Sequence, residues 1–243
     1  MSRLFHVAIS IHFALCVVAL APWPGPAQDA KPPRAAELHG HIDFGSQPAK
    51  GSSPASVVWL TPVAPQTSDR TFPAGRFTLV QKNRMFMPHL IVVPVGSVVS
   101  FPNADPFFHN VFSLFNGKRF DLGLYESGKS KDVVFSREGV SYIFCNIHPE
   151  MSAVVLSLSS PHYAITDGDE NFRIDDIPPG DYEVHAWIEG LTQSSLEKLA
   201  RRVHIISGKS EPMSLDVHQL SREPASHLNK FGQPYEQAPK PTY

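Results

Sequence analysis

Apolar residues fall in short runs along most of this chain, separated by turn-forming residues. At Tyr182, Val184, Ala186 and Ile188 they alternate along one face, the period-two pattern of a half-buried strand. At Val57-Val58-Trp59-Leu60 four of them run together, as in a strand covered on both faces. The pattern predicts strands over 38–44 and 56–60, then over 77–80, 90–93, 97–101, 110–115, 132–135, 141–144 and 153–158. Further strands follow over 163–166, 172–174, 181–188, 203–206 and 213–217. Pro94-Val95-Gly96, Pro102-Asn103, Asn116-Gly117 and Glu138-Gly139 supply turns between them. Residues 194–202 carry the one helical pattern, and a short one. Residues 28–36 read as a linker and 63–75 as a loop. Residues 218–243, with Pro224, Pro234, Pro239 and Pro241 and few apolar positions, read as an extended tail.

Composition sharpens this picture. The 243 residues include 23 Pro, roughly twice the average share, which argues against long helices. A hydrophobic share of 42% suffices for a buried core. The formal net charge of −2 gives no reason to expect nucleic acid or an anionic membrane as partner.

Residues 1–27 read as a secretory signal. Arg3 precedes an apolar run over 7–20, broken only by Ser10 and His12, and Gly25-Pro26-Ala27 offers small residues for cleavage. The run is shorter than the ~20 residues a span needs, which favours cleavage over a retained anchor. The protein is therefore expected in the periplasm or secreted, without stable membrane insertion. Cleavage removes Cys16 and leaves Cys145 as the one cysteine, with no internal disulfide partner. An exported lone thiol is expected to be buried or bound to something.

Cys145 lies in Cys145-Asn146-Ile147-His148-Pro149-Glu150-Met151, directly after a predicted strand, and His109 opens another. Thiolate, imidazole and thioether together form a soft donor set that suits copper in both oxidation states. Two His and a Cys in a plane, with a weak axial Met, is the blue-copper arrangement. Zinc would accept Cys145 and the two His, but a thioether is a poor zinc ligand. His39 and His41 share a strand face, and an exposed face is the plainer reading of them. No Gly-x-Ser-x-Gly, His-Glu-x-x-His or phosphate-binding glycine loop occurs, and the chain is expected not to be an enzyme.

Residues 77–158 resemble the cupredoxins, the plastocyanin and amicyanin superfamily. The resemblance rests on Phe86-Met87-Pro88, on Val95 to Phe101, on His109-Asn110-Val111, on Phe120-Asp121-Leu122-Gly123, on Gly139-Val140 and on Cys145-x2-His148-x2-Met151. It implies one type 1 copper ion with His109, Cys145 and His148 equatorial and Met151 axial. It also implies that the Asn110 backbone N–H donates to the thiolate. His148 would be the electron exit, in a patch with Ile147, Pro149, Phe107 and Phe108.

Residues 166–174 and 177–184 resemble a carboxypeptidase-regulatory, prealbumin-like sandwich, and 40–43 with 56–60 weakly match the start of that family. The expected fold is thus all-β. A Greek-key cupredoxin sandwich over 76–158 is inserted into a second, discontinuous sandwich formed by 37–62 and 159–217. The alternative is that 37–62 adds a strand to the cupredoxin. The arrangement also resembles exported methylamine-utilisation-like proteins. The function these resemblances imply is one-electron transport between redox partners, such as a c-type cytochrome or a periplasmic dehydrogenase. Copper delivery or storage, or a scaffold role in the envelope, is the competing expectation.

Overall fold

The computed structural model describes residues 36–45, 53–64, 71–114, 117–223 and 228–235. The expected signal over 1–27 lies outside these residues. Seventeen strands form among them, because branched and aromatic residues alternate with polar ones between tight turns. In chain order they are β1 (Ala36–Asp43), β2 (Ser56–Pro62), β3 (Arg76–Thr78), β4 (Val80–Lys82), β5 (Met85–Met87), β6 (Leu90–Pro94), β7 (Ser97–Pro102), β8 (His109–Ser113) and β9 (Phe120–Tyr125). Then follow β10 (Ser130–Phe135), β11 (Gly139–Phe144), β12 (Ser152–Leu158), β13 (Tyr163–Ile165), β14 (Asn171–Ile177), β15 (Gly180–Ile188), β16 (Arg201–Ile205) and β17 (Ser210–Asp216). One short helix, α1 (Gln193–Glu197), follows the cap residue Thr192, whose hydroxyl accepts from Ser195 N–H.

The molecule is all-β and built as two sandwiches. In the first, the sheet β6-β12-β11-β8-β9 faces the sheet β10-β7-β3. Val99 and Phe101 of β7 and Val133 and Phe135 of β10 point inward. They meet Val111, Ile143, Ala153 and Val155 of the other sheet in one apolar core. β12 pairs parallel to β6 and antiparallel to β11, so the chain crosses between sheets before it returns. In the second sandwich, β13-β2-β15-β16 faces β14-β1-β17. Its core holds Leu38 and Ile42 of β1, Val58 and Leu60 of β2, Phe172 and Ile174 of β14, and Tyr182 and Val184 of β15. Among the described residues, β1 and β2 pair with strands from after residue 160 and not with those between 76 and 158.

The join between the sandwiches explains the continuous apolar runs. Along β12, Ala153 and Val155 enter the first core, while Val154, Leu156 and Leu158 pack against Val57 of β2 and Trp187 of β15. β2 and β12 are thus covered on both faces, as a strand without alternation must be. Trp187 is fully buried there, and its indole N–H donates to the Tyr142 hydroxyl at 3.1 Å. Trp59 sits in β2 opposite His185 of β15 and stacks on it.

Two expectations need correction, and one strand was not expected. The helix is shorter than 194–202, because from Arg201 the chain pairs with β15 as β16. The segment Phe120–Tyr125 is a strand, paired with β8 at the sheet edge. Part of the expected extended tail, residues 228–235, folds back onto the first sandwich. Among the described residues no helix is long and apolar enough to cross a membrane.

Candidate metal centre

The site forms at one end of the first sandwich, where three segments meet. His109 is the first residue of β8, and Cys145 directly follows β11. Phe144 of β11 pairs with Phe112 of β8, which brings the ends of these strands together. The loop from Cys145 to Met151 is pinched at its neck. Cys145 N–H donates to Met151 O, and Met151 N–H donates to His148 O at 3.0 Å. This closure turns His148 back over Cys145.

His109 Nδ1, Cys145 Sγ and His148 Nδ1 converge. The two nitrogens are 3.1 Å apart, and the sulfur lies 3.8 Å from His109 Nδ1 and 3.6 Å from His148 Nδ1. Among the described residues, this is the group of His, Cys and carboxylate side chains placed to hold a metal ion. Two imidazole nitrogens and a sulfur around one ion, at bonds of about 2.0–2.3 Å and angles of about 100–130°, would lie about 3.1–3.9 Å apart. The observed spacings therefore fit a shared ion. Met151 is fully buried in the same core cluster as Cys145.

Asp105 holds His109 in the required state. Its Oδ2 lies 2.8 Å from His109 Nε2, and the pair is buried. Burial opposes ionisation of Asp105, but the Arg84 N–H, His109 and the Asn83 N–H outweigh it and hold its carboxyl below the usual range. The ionised carboxylate only accepts, so Nε2 carries the proton and Nδ1 presents its lone pair to the cluster. The turn at Asn83 and Arg84, both with positive φ, aims the two N–H groups at Asp105. Asn103 braces the same segment by accepting from Asp105 N–H and donating to Phe107 O.

His148 closes the outer side. Burial first, then the neighbouring His109, lowers its pKa from the ordinary value, while Glu150 pulls the other way. The imidazole is thereby kept neutral and able to bind a metal. Phe107 packs against both rings, with centroids 5.2 Å from His109 and 5.7 Å from His148. Ile147 and Pro149, on either side of His148 in the loop, are exposed, as is Phe108 next to His109, while His148 itself is partly buried.

The sequence-predicted ligands His109, Cys145, His148 and Met151 are thus brought into one region. Asn110 is buried beside His109, and its side chain donates to Asp121 Oδ1 at 2.7 Å. His39 and His41 lie apart, in the second sandwich. His39 faces Glu37, and His41 contacts Asn171. Sequence reasoning misses Asp105, whose place four residues before His109 is too common a spacing to mark it. It also misses Tyr235, whose hydroxyl donates to Cys145 O at 3.0 Å.

No family model matches this chain, and no curated protein matches it. Solved structures match part of it. A purple cupredoxin from Nitrosopumilus maritimus is 26% identical, over 34% of this chain and 99% of its own, with a TM-score of 0.31. A reduced amicyanin variant is 18% identical, over 41% of this chain and 98% of its own, with a TM-score of 0.33. A Cu-containing nitrite reductase from Thermus scotoductus SA-01 is 23% identical, over 40% of this chain and 25% of its own, with a TM-score of 0.33. That last match is an enzyme. The expectation that this chain is not an enzyme is overturned by it, since likeness to this fold does not separate carriers from catalysts.

Proposed function

We propose that the protein binds copper through His109, Cys145 and His148, with Met151 as a weak fourth ligand, and carries single electrons between redox partners. The observation that supports this best is the buried convergence of two imidazole nitrogens and one thiolate sulfur, with His109 oriented from behind by Asp105. A thiolate with two imidazoles and a nearby thioether is a donor set suited to both copper oxidation states. The chemistry such an ion supplies is a one-electron Cu(II)/Cu(I) couple.

The chain's own residues would make that couple fast. The pinched loop and the Asp105 brace hold the donors in place, so little rearrangement accompanies transfer. Met151 and the surrounding apolar core exclude water. His148, edged by Phe107, Phe108, Ile147 and Pro149, offers an apolar surface for brief docking, and small interfaces suit redox encounters. Asn110, beside His109, belongs to the proposal as backbone donor to the thiolate.

The proposal extends to organisation and place. Residues 37–62 and 159–217 form one sandwich into which 76–158 is inserted, a reading supported by the pairing of β1 and β2 with later strands. The prealbumin-like character of that sandwich, and export by cleavage of 1–27, complete it.

The test is to mix the copper-loaded oxidised protein with a reduced c-type cytochrome and follow both by stopped flow. A carrier oxidises the cytochrome within milliseconds to seconds, faster than it loses metal. A storage or delivery protein shows no exchange on that scale and instead passes copper to a chelating acceptor.

A further inference from the structure

The segment over 228–235 has an internal structure of its own. Asn229 Oδ1 accepts from the N–H groups of Phe231 and Gln233, at 2.9 and 3.0 Å. Asn229 N–H donates to Gln233 O, and Gly232 N–H donates to Asn229 O. Gly232 has φ +75°, a value that lets the turn close. The result is a compact turn, made without an apolar core of its own.

That turn touches the metal-centre loop at several points. Lys230 N–H donates to Asn146 Oδ1 at 3.0 Å, and Tyr235 Oη donates to the carbonyl of Cys145 at 3.0 Å. Lys230 Nζ reaches Asp121 Oδ2 at 2.9 Å. The other oxygen of Asp121 accepts from Asn110, the neighbour of His109. One short segment therefore grips the Cys145-Asn146 corner directly and the His109 strand through Asp121.

We infer that residues 228–235 are a strap that positions the thiolate corner of the site, with Tyr235 and Lys230 as its positioning residues. The physical reason is local. Cys145 lies where β11 ends, so beyond the neck of the loop its carbonyl has no strand partner. A phenolic O–H fixed at 3.0 Å supplies one and restrains rotation of the peptide that carries the thiolate. The Lys230–Asp121–Asn110 chain keeps the strap in register with the opposite strand. The inference rests on the copper reading for its purpose, but the restraint itself does not need a metal.

The experiment therefore begins on the full-length, metal-free chain with Cys16→Ser, which leaves Cys145 as the sole thiol. The rate of Cys145 alkylation by iodoacetamide is measured for this chain and for Tyr235→Phe, Lys230→Met and the pair combined. The strap predicts a several-fold faster rate in each single variant and a further increase in the pair, with the folded far-UV spectrum retained. Ile165→Ser, at a side chain that is 48% exposed on β13 of the second sandwich, should leave the rate unchanged. Equal alkylation rates in all variants would overturn the inference. Loading the same proteins with Cu(II) then reads the thiolate absorption band. A band present in the parent should move or broaden in Tyr235→Phe, and a band identical in position and width would also overturn the strap. A parent with no band would instead refute the copper reading, while alkylation still decides the strap.

Discussion

At the residue scale, Asp105 shows how a site depends on a group that binds nothing itself. Its carboxylate fixes which nitrogen of His109 carries the proton, and the lone pair on the other nitrogen completes the cluster. Asp105→Ala should leave the chain folded yet weaken Cu(II) affinity about 10–100-fold, the usual effect of losing such a partner. Competition with a copper chelator measures this, and unchanged affinity would refute the role. The proposed donors were the legible part. Cys145, His148 and Met151 fall within one short loop, and their types are rarely gathered by chance. Asp105 was hidden because an acid four residues before a histidine is common and gives no direction. Tyr235 gave no signal at all, being brought to Cys145 by a turn closed by the Asn229 side chain and Gly232 rather than by any apolar spacing.

At the element scale, alternation located most strands, and its failures have physical causes. β9 lies at a sheet edge, with a register shift against β8 and Gly123 at φ +66°, so its core-facing Phe120, Leu122 and Tyr125 do not keep one alternation. The helix was drawn too long because Leu196 and Leu199 keep helical spacing, while pairing with β15 claims the chain from Arg201. β1 shows a different constraint. A Cβ on Gly40 would lie 2.2 Å from Met213 O and 2.5 Å from the Phe172 ring, atoms of its two neighbouring strands. Met213 O is a backbone atom that cannot yield without disturbing the sheet, and the Phe172 ring would have to shift within the core. Gly40→Ala should therefore lower unfolding stability by about 1–3 kcal/mol, within the range for overpacking. Urea denaturation checks this, and a stability equal to that of the parent would show that β1 shifts at no cost.

At the scale of the whole molecule, contacts among the described residues that join the two sandwiches include apolar packing around Trp187, its hydrogen bond to Tyr142 and an ion pair. His89, before β6, lies 2.7 Å from Glu189, after β15. The hydrogen bond with Glu189 raises the His89 pKa above its ordinary 6.5 despite partial burial, and the same bond lowers that of Glu189. The signs follow. The histidine's contribution is full below 6.5 and is lost as pH rises through its raised value. The glutamate's is present above the ordinary carboxylate range and is lost as pH falls through its lowered value. Both side chains are more than a third exposed, so water screens the pair and its worth is under about 1 kcal/mol. Unfolding followed from pH 6 to pH 9 should show a small loss of stability in the parent that is missing from His89→Gln. Parallel curves for the two proteins would remove the pair from the account.

The central claim concerns the three converging donors, and one measurement addresses it most directly. The purified metal-free protein is titrated with Cu(II) while its visible absorption spectrum is recorded, alongside Cys145→Ser. The account predicts an intense thiolate-to-copper band that saturates at one ion per chain in the parent and is absent from the variant. No intense band in the parent, or a band that survives Cys145→Ser, would contradict it.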